Sequence, residues 1–238
     1  MGTVTEYDSA TIQNTNNLST YNSGNIAPAL DQLLVVTVIA GGTVDEAVLT
    51  AAANGVSTFH LIAQASFNTS LNTIYKFVAN QKTTGTATMQ VTFDCTGDAA
   101  SGVIILVDAL NDMTKVGADA VRSVGGVPQV MTIVNGPGAS TPDWPGFPNP
   151  CLTGNITQYG LGEISSAGIF NPTGWTQGGF GVISNPTLGG AYGYRNSGFT
   201  GTDVTWPGNE TAHGGIFVEF DTSADEPAAA FRGWGIPL

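Results

Sequence analysis

The chain has 238 residues, of which only 10% are charged, against roughly a quarter in an average soluble domain. Six Lys and Arg stand against 18 Asp and Glu, a formal net charge of −12. That leaves too few cations to displace counterions from a nucleic acid or to hold an anionic membrane surface.

Residues 1–25 are rich in Thr, Asn and Ser, with Tyr7, Ile12, Leu18 and Tyr21 as the sizeable anchors after Met1. Such a segment cannot bury enough surface alone, so it reads as an extended arm or edge strand, ordered by docking. It has no basic start and no apolar stretch of a secretory signal. Glu6 stands where N-myristoylation needs Ser or Thr. A chain made and used without export is the expectation.

Residues 32–40 (QLLVVTVIA) form a short, nearly continuous apolar run ended by Gly41-Gly42. They predict a strand buried on both faces. The apolar run at 33–40 is the longest and far short of the about 20 residues of a membrane helix. Residues 43–53 (TVDEAVLTAAA) are the best helix candidate, with Thr43 as N-cap and Asn54-Gly55 as the stop, and a loop as the alternative. Residues 56–67, 72–79 and 87–93 read as strands, the last with Met89, Val91 and Phe93 on one face. Residues 102–110 (GVIILVDAL) are the most hydrophobic strand, expected to be central.

Residues 127–134 suggest one more strand. Residues 135–150 hold five prolines and three glycines and read as a surface connector. Further strands are expected over 152–164, 190–195, 203–206 and 215–220, with Gly178-Gly179 and Gly189-Gly190 between them. Cys95 and Cys151 are too few for a disulfide framework. Two half-buried thiols are expected, with a single bridge as the alternative.

The chain also matches itself. Val91-Thr92-Phe93, eight residues, then 102–108 (GVIILVD) line up with Val204-Thr205-Trp206, eight residues, then 215–221 (GIFVEFD). The offset is 113 without a gap. Residues 74–77 resemble 191–194, and 32–38 pair with the strand around 156–163. A repeat of this kind implies two similar halves, as one sandwich or as two small domains. The boundaries are an arm at 1–25, a first half at 26–134, a connector at 135–150, a second half at 151–222 and a tail at 223–238. The fold class expected is all-β, a jelly-roll-like or immunoglobulin-like sandwich.

Enzyme chemistry finds little footing. There is no G-x-S-x-G elbow, and His60 and His213 are the only imidazoles. The scattered carboxylates Asp94, Asp98, Asp108, Glu163, Glu219 and Asp221 read as turn formers and edge charges rather than a glycosidase pair. Asp108 with Asp112, and Asp221 with Asp225 and Glu226, are the nearest approaches to a calcium loop, without its D-x-D-x-D-G form. Trp144, Trp175, Trp206, Trp234, Tyr192 and Tyr194 could form a sugar platform if exposed. The Gly pairs lack a phosphate loop's Lys-Ser/Thr ending. No catalytic residue, metal or cofactor is expected.

The order of an LLVVTVIA-like strand, a "YKFVANQKTTGTATMQVTFD" hairpin, "SGVIILVDAL", a "PTGW" turn, "YGYRNSG" and "W…GGIFVEFD" resembles β-sandwich virion proteins of tailed bacteriophages and prophages. The likeness spans about residues 10–222. The family often has a Trp and denser aromatics in the first-half hairpin, where this chain has Phe59, Phe67 and Tyr75. The resemblance implies a non-enzymatic virion component that binds the major capsid protein as a capsid decoration. A tail or neck component, or a carbohydrate-binding receptor-recognition module, is the alternative. It also implies assembly with other virion subunits, with homo-oligomers on the particle. Tyr7, Ile12, Tyr21, Trp144, Phe231 and Trp234 are the candidate subunit contacts.

Overall fold

The computed structural model describes residues 2–7, 11–13 (backbone alone), 17–42, 44, 47–134, 146–165, 171–196, 199 and 212–223. In chain order the strands are β1 (Val4–Glu6), β2 (Thr11–Gln13), β3 (Thr20–Asn22), β4 (Leu33–Gly41), β5 (Val48–Ala53), β6 (Val56–Phe67), β7 (Asn72–Ala79) and β8 (Val91–Asp94). They continue with β9 (Gly102–Leu110), β10 (Ser123–Val124), β11 (Val127–Pro128), β12 (Val130–Val134), β13 (Ile156–Glu163), β14 (Thr176–Ser184), β15 (Thr187–Arg195) and β16 (His213–Phe220). The protein is an all-β sandwich.

The larger sheet runs β1-β9-β4-β7-β6-β5-β8-β3, with β2 also on β9. It curls at β6. The start of that long strand pairs with β5, the rest with β7, and a bulge falls between Leu61 and Ala63. The curl folds β8 back over β7, so Phe93 meets Tyr75 and Phe77 at ring-centroid distances of 5.4 and 6.5 Å. Two strands, β6 and β5, separate β7 from β8 along the ladder; the aromatic contact closes the gap and buries Tyr21 of β3 with it. Beneath this core lie Val36, Val38, Ile105 and Val107, on the Tyr75/Phe77 face of the ladder.

The other face of β4, β7 and β9 meets the second sheet, β12-β16-β13-β15-β14. Contact is close because glycines line that sheet's inner side. A Cβ on Gly190 would lie 2.5 Å from Ile39 Cδ1, and one on Gly160 would lie 2.7 Å from Thr37 Cγ2. Gly162 and Gly214 meet Ile39 and Phe67 in the same way. The middle sheet is therefore covered on both sides, and every residue of β4, β7 and β9 is buried. This is the physical origin of the unbroken apolar runs at 32–40 and 102–110. Residues of both sheets share one core, in which Ile156, Leu188, Ile216 and Val218 join Val35, Ile39 and Ile104. A second cluster, with Tyr159, Trp175, Phe199 and Phe217, covers the outer side of the second sheet.

The two sheets are built in the same order. In the first, β9-β4-β7-β6 places the earliest strand beside the last and the third. In the second, β16-β13-β15-β14 does the same. The strands aligned by the offset of 113, β9 and β16, hold corresponding places. Val204–Trp206 of that match and the strand expected over 203–206 lie outside the described residues, so the repeat remains a sequence observation.

Several expectations are corrected. The helix candidate at 43–53 contains a strand, β5, because residues 48–51 pair with β8 and Leu49 enters the core. Gly178-Gly179 lie inside β14 rather than between strands. The ring of Tyr192 lies against Gly178, where a Cβ would come within 2.2 Å. Residues 130–134, assigned to the first half, pair with β16 in the second sheet. His213 begins β16 and is buried. Within the chain the arm is paired: β1 and β2 with β9, and β3 with β8.

Candidate functional site: a strand-bearing edge over a buried charge cluster

The outer edge of β9 carries the N-terminal segment along its length. Val4, Thr5 and Glu6 lie opposite Leu110, Ala109 and Asp108. Thr11, Ile12 and Gln13 lie opposite Ile105, Ile104 and Val103. The two short strands thus act as one interrupted edge strand. Asn111 fastens its start: its backbone N–H donates to the Thr3 carbonyl at 2.8 Å, and its amide donates to Thr5 Oγ1 at 2.9 Å. Gln32 donates to Asn111 Oδ1 at 2.7 Å. The Tyr7 hydroxyl donates to Gln32 Oε1 and accepts from the Ala29 N–H at 3.1 Å.

Inward from this edge, between the two sheets, lies a polar cluster in an otherwise apolar layer. Lys76 of β7 and Asp108 of β9 are both fully buried. Lys76 Nζ donates to Thr37 Oγ1 at 3.0 Å, and Gln158 Nε2 of β13 donates to Asp108 Oδ2 at 2.5 Å. Asp108 Oδ1 and Gln158 Oε1 have no hydrogen-bond partner among the described residues. Lys76 pairs with Thr37 while Asp108 pairs with Val35, one strand further and two residues along. Regular strand spacings put their Cα atoms about 12 Å apart. The two charges therefore act on each other mainly through the low-dielectric field, not through a tight contact.

Burial pushes the Asp108 carboxyl well above the usual carboxylate range. The Lys76 charge and the Gln158 bond pull it back, and Glu6 across the ladder pushes it up again. Burial likewise lowers the Lys76 ammonium, with Asp108 opposing. Tyr194 of β15 is raised by burial and then by the charges of Glu6 and Asp108. Glu6 thus faces another carboxylate across the ladder.

A second network fixes the segment before β13. Buried Glu219 accepts from Arg122 Nη1, the Leu152 N–H and Asn155 Nδ2, each at 2.7 Å. The Cys151 thiol is raised by burial and then by Glu219. Cys95, raised by burial to about 11, and Cys151 are both free and buried, so the bridge alternative is not realised. Each of the five described cations is engaged within the chain. Lys76 is buried, Lys82 pairs with Asp31, Lys115 with Asp221 and Arg122 with Glu219, and Arg195 lies over the Phe199 ring.

Of the candidate contact residues, Tyr7 sits at the β9 edge, tied to Gln32. Ile12 lies in β2 opposite Ile104. Tyr21 is 1% exposed, with its hydroxyl on the Ala100 carbonyl. It is a core residue of its own chain, because the curl of the sheet encloses it, and it offers no outward contact. Trp144, Phe231 and Trp234 lie outside the described residues. Trp175 and Tyr192 are buried and cannot serve as exposed sugar-stacking rings. Asp108 is buried against the Gln158 amide rather than in a calcium loop. Among the described residues no group of three or more His, Cys, Asp or Glu is placed to hold a metal.

The sequence reading passed over Lys76, Gln158 and the pairing of Glu6 with Asp108. A usable signal was present: IYKFVA and IILVDAL each carry one charge inside an apolar run. Two lone charges in doubly buried strands must share a compartment or remain uncompensated. No family model and no curated protein matches the chain.

Proposed function

We propose that the protein is a non-enzymatic structural subunit of a tailed-phage virion, binding the major capsid protein as a capsid decoration. The supporting observation is how the sheet is completed. A terminal segment adds as a strand to the β9 edge, and main-chain pairing of this kind joins separate chains as readily as parts of one chain. The resemblance of the sequence to phage β-sandwich proteins supplies the virion setting. The acidic surface fits that reading: with its described cations engaged internally, the chain favours basic or neutral protein partners over polyanions.

The test uses particles of the phage that encodes the chain, produced without this gene. Purified protein is added to the shells and, separately, to the tails, and each mixture is sedimented. Saturable co-sedimentation with the shells is expected. Binding to tails alone would move the protein to the tail or neck, and binding to neither would overturn the virion reading.

A further inference from the structure

The strand pairing on β9 has the form of a detachable one. It consists of two three-residue pieces, β1 and β2, with one further bond from the Tyr7 N–H to the Val107 carbonyl after β1. At its centre Glu6 stands directly opposite Asp108. Like charges facing each other across a ladder disfavour pairing, and Asp108 cannot turn to solvent because it is fully buried. The acceptor side is the reverse. β9 is a continuous nine-residue strand, held on its other edge by β4 over its full length. A short strand on a rigid acceptor edge can leave without unfolding the sandwich once its bonds to Asn111, Gln32 and Val107 open.

We propose that β1 and β2 are an exchangeable strand, and that the β9 edge of one copy accepts β1–β2 of a second copy. The occupant is a second copy because only the same segment restores every existing contact. Those contacts are the register from Val4↔Leu110 to Gln13↔Val103, the Asn111 bonds to Thr3 and Thr5, and the Tyr7–Gln32 bond. Exchange therefore changes connectivity and leaves contact energy nearly unchanged. Concentration on a particle then favours the exchanged form by mass action. This rests on the reading of the protein as an assembly subunit. It names the partner as this same chain.

Thr5 and Ala109 form a hydrogen-bonded ladder pair, for which a Cα separation of about 5.5 Å suits a disulfide. Full-length Thr5→Cys is mixed with full-length Ala109→Cys at rising concentration, incubated and oxidised. A mixture of Thr5→Cys with Val127→Cys, on the exposed β10–β11 hairpin, reports random collision. The expected result is a covalent heterodimer joined through positions 5 and 109, increasing with concentration and time above the control. If Ala109→Cys fails to fold, Thr3→Cys with Asn111→Cys tests the same ladder. A heterodimer yield no greater than the control overturns exchange, provided the double variant Thr5→Cys/Ala109→Cys closes within one chain. Shell binding is read separately, so loss of exchange and loss of the virion reading are distinguishable.

Discussion

Replacing Lys76 by Met tests the buried charge cluster directly. The two side chains have similar length and volume, so packing between the sheets is nearly conserved. Only the ammonium and its bond to Thr37 are lost. Asp108 then stays in the intersheet layer with Gln158 as its one donor and Glu6 across the ladder. Removing one partner of a buried charge pair costs about 3–5 kcal/mol, whereas replacing both is neutral or stabilising by about 1–4 kcal/mol. Lys76→Met should therefore lose about 3–5 kcal/mol at pH 8. Lys76→Met/Asp108→Asn, which keeps an acceptor for Gln158, should regain most or all of it.

The pH dependence carries a sign that can be checked. The folded-state pKa of Asp108 lies above its unfolded value. Between those two values the folded chain holds a proton that the unfolded chain has released, so stability falls as pH rises. Lys76 is lowered, so its contribution falls as pH drops from the ordinary lysine range toward its folded pKa. In the native protein the pair contributes least where both groups are charged. In Lys76→Met only the carboxyl branch survives. Stability should then rise on acidification by up to about 1.4 kcal/mol per pH unit, from the raised folded-state pKa of Asp108 down to its unfolded value. Urea unfolding followed by tryptophan fluorescence at pH 5, 6, 7 and 8 measures all three chains. A Lys76→Met protein as stable as the double variant, with no pH slope between them, would refute a buried, field-coupled pair.

Two further outcomes follow from close packing and burial. Gly190→Ala places a methyl 2.5 Å from Ile39 Cδ1 and should cost about 1–3 kcal/mol. Shortening the neighbour with Ile39→Val should recover part of that loss in a double-mutant cycle, and strict additivity would count against the contact. Cys95 and Cys151 should resist a thiol reagent in the native protein and both react in urea, since burial disfavours each thiolate. Prompt native labelling of either one would place it outside the core.

Periodicity located the strands wherever burial was strong and local. Residues 32–40, 56–67, 72–79 and 102–110 became β4, β6, β7 and β9 with small shifts at their ends. It failed where a neighbour decided the outcome. VLTAAA has helix-forming alanines, but β6 and β8 on either side supply ladder partners that override local propensity. β14 was hidden because TQGGFGVIS carries glycines where the Tyr192 ring needs room, a requirement set 14 residues away at Gly178. The lone charges of β7 and β9 were visible as residues. Their meeting was not, because it depends on β4 lying between them and on the second sheet closing over them.

That closure explains why a polar cluster belongs in this layer. Glycines at 160, 162, 190 and 214 give the second sheet a smooth inner face. A smooth face packs closely but resists sliding poorly, since no side chain of its own interlocks at those positions. The Gln158–Asp108 bond joins the sheets at one point, and Gly2, wedged between Ile156 and Thr222, joins them at another. Replacing Lys76, Asp108 and Gln158 together by Met, Leu and Leu should raise or preserve stability, because no buried polar group is left unpaired. It should also loosen the register of the two sheets. Near-UV circular dichroism from Tyr159 and Trp175, which pack 5.7 Å apart on the second sheet, should weaken, and the urea transition should broaden with a smaller slope. A triple variant that keeps the native near-UV signal and the native slope would show that the glycine-lined packing sets the register without the polar bond.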